Sequence, residues 1–236
     1  KPADVPKRLL DELAANARSQ GSFFRLASQM RIEGGADYID YVGRVLDGTQ
    51  AIPETFGNSR VRFYYDVGSM RAAILHNDEE HGLCRMVAGY AWPWISKDNP
   101  ELHDIVLDGV GLTWNRTASD WINSPTSVEE VGSIHTVQGY DLNYAGVIIG
   151  ADLGFDPVTQ KMVFNRENYH DKKGKENNPR LGIVYSDEDL LDYVKNIYRV
   201  RRLLPRKSAP RPTAPAKEVL AKFCPWKSPP LWLVRV

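Results

Sequence analysis

One run of this sequence concentrates side chains and backbone that suit a nucleotide or a phosphate chain. It reads Glu130-Val131-Gly132-Ser133-Ile134-His135-Thr136-Val137-Gln138-Gly139-Tyr140-Asp141-Leu142-Asn143-Tyr144-Ala145-Gly146-Val147-Ile148-Ile149-Gly150. A strand ending at His135, followed by a turn or helix start, leaves backbone N–H groups free to meet an anion. Gly139 lets backbone approach a ligand closely. Gln138 supplies a donor and an acceptor, and Asp141 can accept from a sugar hydroxyl. As residues alone, the same run fits a strand, turn, helix and strand with an incidental glycine and a capping aspartate.

Two further clusters carry chemistry of a plainer kind. Trp92 and Trp94 flank Pro93 in Gly89-Tyr90-Ala91-Trp92-Pro93-Trp94. Exposed, such rings stack on nucleobases; buried, they pack a core or a lobe interface. Trp114 and Trp121 carry the same pair of readings. Lys172, Lys173 and Lys175 form a short basic loop, suited to phosphate or simply solvated. No G-x-x-x-x-G-K-[ST] phosphate loop occurs, and Gly174-Lys175-Glu176 is not one. The segment Ala73-Ile74-Leu75-His76-Asn77-Asp78-Glu79-Glu80 imitates an apolar strand ending in acids but reads as the polar end of a helix. Cys84 and Cys224 make no C-x-x-C pair, which argues against a zinc site and excludes a disulfide framework. No metal ligand set is expected.

The elements that must position these residues follow from periodicity. Residues 7–31 read as a helix, with Leu9, Leu10, Leu13 and Ala17 at helical spacing. Residues 38–46 read as a second, closed by Asp47-Gly48. Residues 60–67 read as a strand, 70–77 as a helix, and 84–92 as a buried strand stopped by Pro93. Asp108-Gly109 signals a hairpin between 105–107 and 110–114. Residues 130–135 and 145–150 read as strands, and a second hairpin turns around 156–161. Ser186 opens a helix as an S-x-x-D capping-box variant. Strands alternating with helices, with runs as apolar as AGVIIG, indicate an α/β layer structure.

Composition sets the bounds. Hydrophobic content of 42% and charged content of 25% are those of an ordinary globular chain. No apolar run reaches the ~18 residues of a membrane span, and no signal peptide is visible, so a cytoplasmic protein without membrane contact is expected. Residues 201–236 hold nine Lys or Arg against one acid, leaving roughly −8 on residues 1–200. Seven of the 15 prolines also fall after residue 200. That tail lacks periodicity and is expected to be disordered or out of frame, although the terminal LWLVRV could dock as a short strand. The body is not basic, so nucleic acid would be met by a local strip and not by bulk charge.

The pattern Ser133-x-His135-x-x-Gln138-Gly139-x-Asp141, followed by an apolar strand, resembles motif V of superfamily 1 helicases. Together with GYAWPW, DWINSP and DKKGKENNP, the run closely resembles the Schlafen group 3-like DNA/RNA helicase family of bacteria, over about residues 24–200. The resemblance implies an α/β fold: the second RecA-like (P-loop NTPase type) lobe, with β-hairpin insertions. It implies a helical segment over 1–59, the lobe over 60–200 and the tail over 201–236. It places Gln138 and Gly139 at a nucleotide cleft, Asp141 on the ribose, and Ser133, His135 and Thr136 on the nucleic-acid backbone. Leu26-Ala27-Ser28-Gln29-Met30-Arg31 resembles motif IV, whose Arg, here Arg31, contacts nucleotide phosphates as an always-charged bidentate donor. Asn196-Ile197-Tyr198-Arg199-Val200 resembles the start of motif VI, yet no Thr-Arg pair follows, and the final strand of the lobe is not recognisable.

The resemblance thus implies ATP and Mg2+ as ligands of the intact protein, held by none of this chain's residues alone. The implied partners are DNA or RNA and an N-terminal RecA-like lobe carrying the phosphate loop; no catalytic residue is assigned. The chain is expected to be a fragment or processed product, inactive as an ATP hydrolase by itself. A non-catalytic nucleic-acid-binding or regulatory lobe, or a degraded gene fragment, are the other readings.

Overall fold

A computed structural model describes residues 7–24, 35–49, 55–56, 59–117, 119–133, 135–137, 139–140, 142–177, 179, 182, 184–199 and 217–223. Its elements, in chain order, are α1 (Lys7–Ser19), α2 (Gly35–Leu46), β1 (Thr55–Phe56), β2 (Ser59–Phe63), α3 (Val67–His81) and β3 (Cys84–Ala88). There follow β4 (Ile105–Leu107), β5 (Val110–Leu112), β6 (Val131–Ser133), β7 (Tyr144–Ile149), β8 (Leu153–Asp156), β9 (Lys161–Phe164), α4 (Asp187–Tyr198) and β10 (Lys217–Phe223).

The main sheet has the order β1-β2-β10-β7-β3-β6. All its neighbours are parallel except β1, which pairs antiparallel with β2 at the edge. A parallel sheet covered on both faces needs apolar residues on both, and every residue of β3 and β7 is buried. Alternation then sorts them. Cys84, Met86, Ala88, Tyr144 and Ile148 pack with Val67, Met70 and Ile74 of α3. Val87, Ala145, Val147 and Ile149 pack instead with Tyr41 of α2 and Val194 of α4. Burying each such aliphatic side chain stabilises the fold by roughly 1.5–3 kcal/mol. The chain is therefore a mixed α/β structure built on a parallel sheet, as its alternating pattern indicated.

The hairpin expected at Asp108-Gly109 is present between β4 and β5. Both turn residues have positive φ, 51° and 78°, the geometry of a two-residue type I′ turn. Asp108 also reaches out of the turn, and its Oδ2 accepts from Val67 N at 2.8 Å. Asp66 accepts from Ser69 N at 2.7 Å. These two carboxylates start α3 at Val67, so the strand read over 60–67 ends earlier, at Phe63. Ser186 caps α4 with the reciprocal capping box expected. The second hairpin, β8 with β9, is also present.

Three expectations are corrected. The helix read over 7–31 ends at Ser19, where Gly21 takes φ 68° and its N–H and that of Ser22 return to Arg18 and Ala17 carbonyls. The strand read over 84–92 ends at Ala88, and residues 89–94 form a loop. Of the tail over 201–236, read as disordered or out of frame, residues 217–223 form β10, paired on both sides between β2 and β7, and the rest lies outside the described residues. The strand that the sequence did not reveal therefore sits near the middle of the sheet. The terminal LWLVRV lies outside the described residues.

No helix among the described residues is long and apolar enough to cross a membrane.

Candidate functional site

In open α/β sheets ligands gather beyond the carboxyl ends of the strands. Here β3 and β6 end side by side, with Ala88 paired to Ser133. A cavity of about 450 Å³ opens there. One wall is the loop after β3: Tyr90, Trp92, Pro93 and Trp94. Trp114, Asn115 and Ser133 line it from the β5 and β6 ends, and His170, Asp171, Lys172 and Lys173 line it from the loop before α4. Three stretches far apart in sequence, each singled out by its composition, thus line one cleft.

Local bonds hold the walls in place. Asp104 is 5% exposed; it accepts from Ser96 N at 2.7 Å and Trp114 N at 2.7 Å, and from the Ser96 hydroxyl. That carboxylate fixes the end of the tryptophan loop to the β4–β5 hairpin. Glu130, 2% exposed, accepts from Arg116 N, Trp121 Nε1 and the Thr126 hydroxyl at 2.9, 2.7 and 2.6 Å. His170 N donates to the Tyr90 carbonyl at 2.7 Å and ties the lysine loop to the tryptophan loop. Gly150, at the end of β7, admits close packing: a Cβ there would lie 2.0 Å from Ala91 Cβ and 2.9 Å from the Trp92 ring.

The two tryptophans play different parts. Trp92 is half-buried and packs against the core cluster on the α3 side. Trp94 is 42% exposed. The lysines divide too. Lys175 Nζ donates to the Tyr169 carbonyl at 2.7 Å and the Arg166 carbonyl at 3.3 Å, a structural use. Lys172 and Lys173 are exposed on the cleft. Burial and the neighbouring Lys175 push the His170 pKa below its ordinary 6.5, so that ring is neutral at pH 7. The positive charge at this wall therefore comes from the two lysines, offset in part by Asp171, whose Oδ1 accepts from Gly174 N at 3.0 Å.

Of the residues expected on nucleic acid, Ser133 lines the cleft but is 8% exposed. Its hydroxyl meets that of Thr136 at 2.8 Å, and Asn115 Oδ1 accepts from Ser133 N at 3.2 Å and from Thr136 Oγ1 at 3.3 Å. His135 is exposed, with its ring 5.6 Å from that of Tyr90. Of the three, Ser133 alone lines the cleft, with Thr136 bonded to it and His135 against Tyr90. Beyond them Val137 and Leu142 are buried, anchoring the turn on either side of an exposed Gly139 with φ 98°. Among the described residues no atom lies within 4 Å of a Cβ built on Gly139, so the Cβ side of this turn is open. Arg31, Gln138 and Asp141, expected to hold nucleotide, lie outside the described residues. Among the described residues no group of three or more His, Cys, Asp or Glu side chains is placed to hold a metal.

Behind the cleft, a buried network joins the ends of β7 and α4. Tyr198 donates to Asp152 Oδ1 at 2.8 Å and accepts from Gly150 N at 3.1 Å. Asp152 is fully buried and its Oδ2 has no hydrogen-bond partner among the described residues. Burial raises its pKa from 3.8 to about 7, against the opposing effect of the Tyr198 hydroxyl. Arg199 ends α4, its N–H returning to the Lys195 carbonyl at 2.7 Å. Cys84, buried beside Asp78, has its thiol pushed up to about 12 and is no nucleophile at neutral pH.

Sequence reasoning passed over Asn115 and His170. Tyr90 and Asp171 stood inside motifs already noted, but only the fold shows that His170 bonds to Tyr90 and that Asn115 lines the same cavity.

Comparison with known proteins supports a helicase-related role. The protein "Uncharacterized protein YPL245W" of Saccharomyces cerevisiae is 28% identical over 163 residues, 64% of this chain and 36% of the yeast protein. This chain thus spans little more than a third of that relative's length. No solved structure matches. The family described as Schlafen group 3, DNA/RNA helicase domain, matches residues 4–206, which hold the cleft and every strand of the main sheet but β10, and the chain belongs to that family.

Proposed function

We propose that this chain is the second RecA-like lobe of an ATP-dependent DNA/RNA helicase or translocase, and that its contribution is to grip nucleic acid at the carboxyl edge of the sheet. The observation that carries the reading is the convergence of Ser133, Trp94, Lys172 and Lys173 on one cleft. Backbone-facing lysines supply affinity without sequence preference, and aromatic faces supply stacking. The parallel sheet, the motif V run and the family match support the RecA-like assignment.

ATP and Mg2+ belong to the same proposal. The sequence contains no phosphate loop, so a second lobe would supply the phosphate and metal site. This chain would add the turn at Gly139, whose open Cβ side suits a ribose and phosphates, with Arg31, Gln138 and Asp141 as the side chains expected there. Closure of two lobes on a nucleotide is a known switching mode. The β6–β7 connection runs from the cleft rim at Ser133 past Gly139, so it would couple the two ligands. ATP hydrolysis by this chain alone is not expected, because phosphate, metal and water must be positioned together.

The test is made in the full-length protein that carries this lobe. His135→Ala is expected to abolish stimulation of ATP hydrolysis by single-stranded oligonucleotides while leaving the unstimulated rate unchanged. Stimulation equal to that of the parent protein, or a parent protein whose hydrolysis ignores nucleic acid, would overturn the reading.

A further inference from the structure

We infer that the cleft between the tryptophan loop and the lysine loop is a pocket for one unpaired nucleotide, with the base laid on Trp94 and the adjoining phosphate at Lys172 and Lys173. The inference deepens the nucleic-acid reading above and rests on it. Four aromatic rings line the cleft, and three of them are committed elsewhere. Trp114 is 2% exposed. Tyr90 is flanked by the His135 ring at 5.6 Å and the Trp114 ring at 6.5 Å. Trp92 is packed toward Gly150 and the α3-side core. Trp94 retains an open face, at 42% exposure.

The volume agrees with a single guest. At about 450 Å³ the cavity falls in the range of small-ligand pockets, ~300–1,000 Å³. In a duplex both faces of each base are covered by its neighbours. Only a base outside the stack can lie face-on against an indole, and extrusion costs least where the strand is already unpaired. Charge fits as well: among the described residues neither Lys172 nor Lys173 forms an ion pair, and both border the cavity. Asp171 disfavours a phosphate set deeper, which places the phosphate at the lysine rim.

The pocket takes the shared chemistry of unpaired DNA and unpaired RNA, and the arms of the experiment separate them. Intrinsic tryptophan fluorescence of the whole chain is titrated with a 12-mer single-stranded DNA, a 12-mer single-stranded RNA and a blunt 12-base-pair duplex. We expect quenching by a single strand, DNA or RNA, and not by duplex. Trp94→Ala should weaken that single-strand binding about tenfold and remove the quenching, while Trp94→Phe restores most of the affinity. An abasic 12-mer should bind the parent chain about as weakly as the intact strand binds Trp94→Ala. Equal affinity of parent and Trp94→Ala, with strands still bound, would overturn the pocket and leave the nucleic-acid reading standing. Failure of all three probes to bind would overturn both.

Discussion

Replacing Asp152 by asparagine should change how the stability of this protein depends on pH. Asp152 sits just past β7, fully buried, with one oxygen bonded to Tyr198 and the other without a partner among the described residues. Its pKa is raised from 3.8 to about 7 in the fold, chiefly by burial. The unfolded chain ionises this group near its ordinary value. Between pH 4 and 7 the folded state therefore keeps a proton that the unfolded state has lost. The stability is full below about pH 4 and is lost as pH rises through the folded-state value. At about 1.4 kcal/mol per pKa unit, the group removes on the order of 4 kcal/mol by pH 8. Asp152→Asn carries no charge at any pH and nearly the same shape. Its urea midpoint should match the parent's below about pH 4, already exceed it at pH 5, and exceed it at pH 8 by the equivalent of on the order of 4 kcal/mol. Parallel midpoints for the two proteins from pH 5 to pH 8 would refute the reasoning, because they would show that Asp152 ionises as readily folded as unfolded.

Two further substitutions address the walls of the cleft. Gly150→Ala should destabilise the protein by about 1–3 kcal/mol, an overpacking cost, because the new Cβ falls on Ala91 and the Trp92 ring; chemical denaturation and a shifted tryptophan emission read it. Asp104→Ala leaves the buried Trp114 N–H without its acceptor. It should cost about 1–3 kcal/mol, with Asp104→Asn costing less, and a denaturation midpoint unchanged in both would show that the carboxylate does not hold the loop.

Elements whose local signals agreed were readable in the sequence. AGVIIG marked β7, Asp108-Gly109 marked the first hairpin, and Ser186 with Asp189 marked the start of α4. β10 was hidden for a physical reason. A strand paired on both sides is usually apolar nearly throughout, whereas Lys217–Phe223 reads KEVLAKF amid prolines and basic residues. The early end of the strand before α3 was equally hidden, since one of its two caps comes from Asp108, 41 residues away. Of the candidate site, Ser133, His135 and Thr136 were singled out by their motif; Ser133 lines the cleft, Thr136 bonds to it and His135 lies beside Tyr90. The meeting of Trp94 with Lys172 and Lys173 is a product of topology, which brings the loops after β3 and before α4 together through the His170–Tyr90 backbone bond. Spacing along the chain carries no trace of that contact.

The salt dependence of oligonucleotide affinity asks most directly whether this cleft grips a phosphate chain. Anisotropy of a labelled single strand is measured from low to moderate salt with the parent chain and with Lys172→Ala/Lys173→Ala. Loss of two phosphate contacts should weaken binding and make the slope of log affinity against log salt shallower by about 1.4. An unchanged slope, with affinity equal to the parent's, would mean that nucleic acid does not lie here.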